Sequence, residues 1–87
     1  MALTNFQLKQ LRAAPVGAAG NRVAKAIELA EVTQTALADS IALPNTYVSD
    51  TARGRYQTIT VDNARKFAEY FGCAIEDLFP AREAVAS

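Results

Sequence analysis

Residues 33–53 carry two short helical patterns separated by a three-residue break, and this arrangement constrains the chain more than any other feature. Thr33 is followed by QTALADSIAL, where Leu37, Ala38 and Ile41 fall on one apolar face and Thr33 stands as the cap. Ala42-Leu43-Pro44 interrupts the pattern, because a proline disfavours α conformation in the residue before it yet suits the first turn of a helix. A second helix runs from Pro44 or Asn45 to Arg53 and stops at Gly54, a natural left-handed terminator. Val48 is its strongly apolar residue. Asn45, Thr46, Tyr47, Ser49, Asp50 and Arg53 give it a surface rich in hydrogen-bonding groups that no core requires.

The flanking segments also read as helices, so the expected fold class is all-α. NRVAKAIELAEV places Val23, Ala26, Ile27 and Ala30 at helical spacing, with Asn21 as N-cap. Thr60 caps VDNARKFAEYFG, whose Val61, Ala64, Phe67, Ala68 and Phe71 recur at steps of three and four, and Gly72 ends it. AIEDLF forms a short last helix offering Ile75, Leu78 and Phe79, which Pro80 closes. At the amino end, TNFQLKQLR over residues 4–12 reads as a two-turn helix exposing Phe6, Leu8 and Leu11, either a frayed tail or a dimer-contacting arm. AAPVGAAG over 13–20 reads as a flexible linker rather than a packed element. The division is therefore an arm and linker over 1–20, a helical domain over 21–80 and a disordered tail over 81–87.

Composition removes much chemistry. With 87 residues there is room for one small domain with a thin core, which oligomerisation would help. No His and a single cysteine, Cys73, exclude a His-assisted nucleophile, a Cys/His zinc site and an internal disulfide. Cys73 itself, between Gly72 and Ala-Ile, reads as a small buried apolar residue rather than a reactive thiol. The carboxylate pairs Asp50/Asp62 and Glu76/Asp77 lack partners at a recognisable acid-base or metal-ligand spacing, so neither an enzyme nor a cofactor or metal site is expected. No apolar run approaches a membrane span and no signal-peptide profile opens the chain, which reads as cytoplasmic. The zero net charge is laid out in segments: +4 over 1–27, −3 over 28–42, +2 over 43–66 and −3 over 67–87. Such a layout permits a basic face for a polyanion, although solvated helices also alternate charge this way.

Two short helices across a tight turn, the second polar on its outer face, make the geometry of a helix-turn-helix DNA reader. Counting Gln34 as first, Leu37, Ala38, Ile41, Leu43 and Val48 occupy the fourth, fifth, eighth, tenth and fifteenth positions, where the two helices meet each other and the core. Ala38 supplies the small residue needed at the crossing. The stretch VTQTALADSIALPNTYVSDTARG, continued by FAEYFGCAIEDLF, resembles the phage-repressor-like family, the Cro/lambda-repressor or XRE type, over about Arg22 to Phe79. The resemblance implies a compact five-helix bundle, sequence-specific DNA binding and a dimeric transcriptional repressor. The sequence departs from the family pattern at Ala42, where Gly is frequent, at Thr51, usually apolar, and at Ala52, often an acid. The connector from Gly54 to Thr60 is one residue longer than the commonest form.

The candidate DNA contacts follow from helix geometry and base chemistry. Positions 45, 46, 49, 50 and 53 lie opposite Val48 and project together toward a major groove. Asn45 can pair in bidentate fashion with adenine, and Thr46 and Ser49 can serve several bases or a thymine methyl. Asp50 either accepts from cytosine N4 or is an ordinary solvated acid. Gln34, opening the first helix of the motif, can clamp a phosphate beside free backbone N–H groups, as the resemblance also implies. Arg53 and Arg55 flank Gly54 and can neutralise phosphates. Tyr47 packs either on the DNA or as a partly exposed structural side chain.

The expected partners are double-stranded DNA and a second copy of the chain, with the dimer contact near Ile75 and Phe79 or on the arm. Two other functions fit the same fold. One is the antitoxin of a toxin–antitoxin pair, its amino-terminal extension docking a protein partner. The other is a protein-interaction module that no longer binds DNA, favoured by neutral charge and opposed by the polar face of 45–53.

Overall fold

The computed structural model describes residues 2–56 and 59–80. Six α-helices are present among them: α1 (Asn5–Ala13), α2 (Val23–Ala30), α3 (Gln34–Ile41), α4 (Asn45–Ala52), α5 (Val61–Phe71) and α6 (Ile75–Leu78), with a short 3₁₀ turn at Gly17–Ala19. The five helices expected between residues 21 and 80 are α2 to α6. The tail expected over 81–87 lies outside the described residues.

Caps set the helix limits much as the residue types require. Thr33 Oγ1 accepts from Ala36 N at 3.0 Å and Thr60 Oγ1 accepts from Asn63 N at 3.2 Å, satisfying N–H groups that have no partner within their own helices. At the other ends, α5 stops at Gly72 with φ 68°, whereas α2 and α3 stop at Glu31 and Ala42, both left-handed at φ 56° and 57°. An L-residue there costs about 1–2 kcal/mol relative to the right-handed region. The tight turn at Ala42 is thus made without the glycine that would form it free of strain. Asn21 is not the formal cap, since α2 begins after Arg22, but its side chain does accept from Val23 N at 3.0 Å.

The core is one cluster fed by every helix. Val23 and Ala26 of α2, Leu37, Ala38 and Ile41 of α3, Val48 and Ala52 of α4, Ala64, Phe67, Ala68 and Phe71 of α5 and Leu78 of α6 are buried in it. Phe67 meets Phe79 edge-on, ring centroids 6.1 Å apart, an arrangement favoured by the aromatic quadrupoles. Leu43 is half-buried against the same cluster. Thr51, at a position that expects an apolar residue, is buried as well, and its hydroxyl donates to the Tyr47 carbonyl at 2.8 Å. That bond removes the cost of hiding an unpaired hydroxyl.

The amino-terminal segment corrects the expectation of three exposed apolar residues. Leu11 is 0% exposed and Leu8 is packed against the core, while Phe6 alone of the three stays out, at 70%. Helix α1 is started by a reciprocal capping box. Thr4 Oγ1 accepts from Gln7 N at 3.2 Å, and Gln7 Oε1 accepts from Thr4 N at 2.9 Å. The Gln7 amide also donates to the Leu29 carbonyl of α2 at 2.8 Å, and Leu3 N donates to the Phe71 carbonyl of α5 at 2.8 Å. At its other end, Arg12 binds the Asp77 carboxylate through two nitrogens at 2.9 and 3.2 Å. The linker reading of 13–20 is corrected too: Ala14 accepts from Arg22 Nε at 2.7 Å, and the 3₁₀ turn lies against Gly54.

Around Asp77 the electrostatics follow from that docking. The Arg12 hydrogen bonds, set against partial burial, hold the Asp77 carboxyl below its ordinary range, helped by the Ala74 N–H that it accepts at 3.1 Å. Burial pushes the nearby Cys73 thiol up to about 11, with the Asp77 charge acting in the same direction. The thiol is therefore protonated at neutral pH and packs as a half-buried apolar group.

Candidate nucleic-acid interface

Helix α4 buries Val48, Thr51 and Ala52 and turns its other side outward. At roughly 100° per residue, positions 45, 46, 49, 50 and 53 fall within an arc of about 140° that contains none of those buried side chains. The structure accordingly brings Asn45, Thr46, Ser49, Asp50 and Arg53 onto one face. Asn45, Thr46 and Arg53 are exposed, and Ser49 and Asp50 half-exposed. Arg53 is the C-cap of α4, its N–H donating to the Ser49 carbonyl at 3.1 Å.

Asp50 is not an isolated acid. Arg55 Nε lies 3.5 Å from its carboxylate, and Arg55 N donates to the Asp50 carbonyl at 3.0 Å. The pair is solvated, so it contributes little stability. Its consequence is local: the negative charge most adverse to an approaching phosphate is offset by a guanidinium beyond Gly54. Gln34 occupies the first position of α3, half-buried, directly after the Thr33 cap of that helix start.

Tyr47 stands on the flank of α4 and is engaged within the protein. Its hydroxyl accepts from Asn63 Nδ2 of α5 at 3.0 Å, and its ring lies 5.1 Å from that of Tyr56. The pair fixes α4 against α5 on one side. Asn63 and Tyr56 were not singled out from sequence, and the usable signal was a Tyr on the polar helix with no apolar neighbour of its own helix to cover it.

Asn21 has a similar role on the other side of α4, with its Nδ2 donating to the Thr51 carbonyl at 2.8 Å. No local pattern announces a contact thirty residues away. Elsewhere, an open groove of about 400 Å³ is lined by Ser40, Ile41, Ala42, Lys66, Glu69 and Tyr70, none of them on the polar face of α4. Among the described residues there is no group of three or more Cys, Asp or Glu able to hold a metal ion, and no helix is long and apolar enough to cross a membrane.

A small helical bundle with two helices crossed over a tight turn, the second presenting a polar outer face, is the architecture of a helix-turn-helix domain. The helix-turn-helix family model matches residues 23–78, well over half of the chain, and the chain belongs to that family. It is of the phage-repressor-like, XRE type, a family of DNA-binding regulatory domains that are not typically enzymatic. No curated protein and no solved structure matches the chain significantly.

Helix α1 and the turn at Gly17–Ala19 precede the matched residues. They pack on the matched residues through Leu11 and the Arg12–Asp77 pair.

Proposed function

We propose that this chain is a sequence-specific transcriptional repressor, without catalytic activity, that binds a palindromic operator in the cytoplasm as a homodimer. The observation that carries the reading is the face of α4: five polar side chains project outward from a helix whose other side is fully committed to the core. In this reading residues 21–80 are the DNA-binding domain. Asn45, Thr46, Ser49 and Asp50 read base edges in the major groove, and Gln34, Arg53 and Arg55 hold phosphates. Tyr47, occupied by Asn63 and Tyr56, keeps α4 in place and offers a ring edge to the backbone of the DNA.

The dimer rests on a size argument, since one recognition helix covers only a few base pairs and a small module offers limited contact for strong specificity. Of the apolar groups expected to make its contact, Phe79 is 1% exposed and Leu11 is buried, so both belong to the monomer core. Phe6 and the half-buried Leu8 and Ile75 remain for a second copy or another protein partner.

Selection from a random duplex library tests the function. The expected product is a two-fold sequence bound with Kd of about 10⁻⁸–10⁻¹¹ M and at least roughly 10³ tighter than scrambled duplex. Its half-sites should be protected about 34 Å apart. Protection of a single asymmetric half-site by a monomer would refute the dimer. Equal affinity for selected and scrambled duplex would end the repressor reading and favour a protein-interaction module.

A further inference from the structure

The carboxyl end of α4 is gripped from behind by a segment outside the family match. Asn21 is 4% exposed, and its amide group is used at both ends. Oδ1 accepts from Val23 N at 3.0 Å at the start of α2, while Nδ2 donates to the Thr51 carbonyl at 2.8 Å and to the Ala19 carbonyl at 3.3 Å. Thr51 O, among the last carbonyls of α4, also accepts from Gly54 N at 3.0 Å, so the Asn21 amide takes up its remaining acceptor capacity. Immediately beside this bond the Ala19 backbone crosses Gly54 so closely that a Cβ there would stand 2.5 Å from Ala19 Cα and O. Gly54, at φ 78°, is required by this approach as well as by its left-handed conformation.

The gripping segment is itself anchored. Arg22 N donates to the Leu78 carbonyl at 2.8 Å, and its guanidinium donates to the Ala14 carbonyl at 2.7 Å and the Asp77 carbonyl at 3.3 Å. The final turn of α4 is therefore tied, through residues 19–22, to α1 and α6. From the geometry we infer that Asn21 is a positioning residue for sequence reading: it sets where the carboxyl half of α4 points, and with it the placement of Ser49, Asp50 and Arg53. Asn45 and Thr46, at the other end of α4, lie beyond its reach. This inference rests on the proposed reading role of α4. It adds a specificity determinant that never touches DNA.

Asn21→Asp separates positioning from helix capping. An ionised aspartate keeps the acceptor for Val23 N, and so the start of α2, but has no donor for the Thr51 carbonyl. Wild-type protein, Asn21→Asp and Asn21→Ala are each taken through duplex selection and through titration with selected and scrambled duplex, with circular dichroism confirming that each is folded. The expected result is that both variants lose about fivefold to a hundredfold in the ratio of selected to scrambled affinity, the range spanned by one base contact. Preference should relax at the base pairs read by Ser49 and Asp50 and persist at those read by Asn45 and Thr46. Affinity for scrambled duplex should fall by much less than affinity for the selected one, because every phosphate-binding arginine is retained, and Asn21→Ala, which adds no charge, gives the comparison free of added repulsion.

Should the Asn21 variants not fold, Gly54→Ala, which retains the amide and displaces Ala19, is expected to relax the same positions. Asn21→Asp, or Gly54→Ala in its place, selecting the wild-type sequence with the wild-type ratio would overturn the inference alone. A wild-type protein that selects no sequence would overturn the proposed function and this inference with it.

Discussion

Two charged residues on one face are expected to fail in different ways. Arg53, exposed at the C-cap of α4, would contribute a phosphate contact. Arg53→Ala should then lower affinity for every duplex and make the dependence on salt shallower by about one unit. Asp50, with Arg55 3.5 Å away, would read a base. Asp50→Ala should relax preference at one or two base pairs, and uniformly tighter binding with unchanged preference would show it to be a repulsive surface acid. At Ala42 the prediction concerns stability. Its φ of 57° is strained for an alanine and relaxed for glycine, while glycine costs more entropy on folding. Ala42→Gly should stabilise by up to about 1 kcal/mol, a rise of roughly 4–8 °C in Tm for a domain of this size. A lowered Tm in a thermal melt would contradict that balance.

At the scale of elements, most of the fold was legible because the longer helices between 21 and 80 carry their own periodicity, and α3 and α5 their own threonine caps. Thr33, Thr60, Gly54 and Gly72 all act where their chemistry places them. Glu31 left no trace in sequence, since a charged L-residue is no signal of left-handed backbone. Helix α1 is where the sequence places it, but its packing was not legible, for another reason. Its inward residues are few, and the value of Leu11 lies entirely in contacts with distant elements, although the Thr4/Gln7 capping box was there to be read. The face of α4 was visible in outline, but not the Asp50–Arg55, Tyr47–Asn63 and Asn21–Thr51 contacts, which depend on the fold. The docking of α1 has a pH signature. Folding depresses the Asp77 pKa, so the contribution of the Arg12 pair is present above the unfolded carboxylate value near about 3.9. It is lost as pH falls through the lower folded value. Asp77→Asn should be less stable than wild type at pH 7, with the difference shrinking below about pH 4 in denaturant titrations. A difference that stayed constant down to pH 2 would show that the ion pair is not its source.

For the whole molecule, neutral net charge makes the layout of charge the relevant quantity, because binding without sequence preference depends on phosphate neutralisation. A protein with few phosphate contacts must obtain its selectivity from base edges, and in the proposed reading that task would fall to α4. The most direct test replaces its reading face while leaving its buried face and its arginines intact. Asn45, Ser49 and Asp50 are exposed or half-exposed and outside the core, so changing all three to Ala should spare the fold. Parallel selection from one random duplex library should then enrich a single two-fold sequence with wild-type protein and no sequence with the triple variant, while the two bind scrambled duplex with affinities within a few-fold of each other. Enrichment of the same sequence by both proteins, or of none by the wild type, would contradict the assignment of sequence reading to α4.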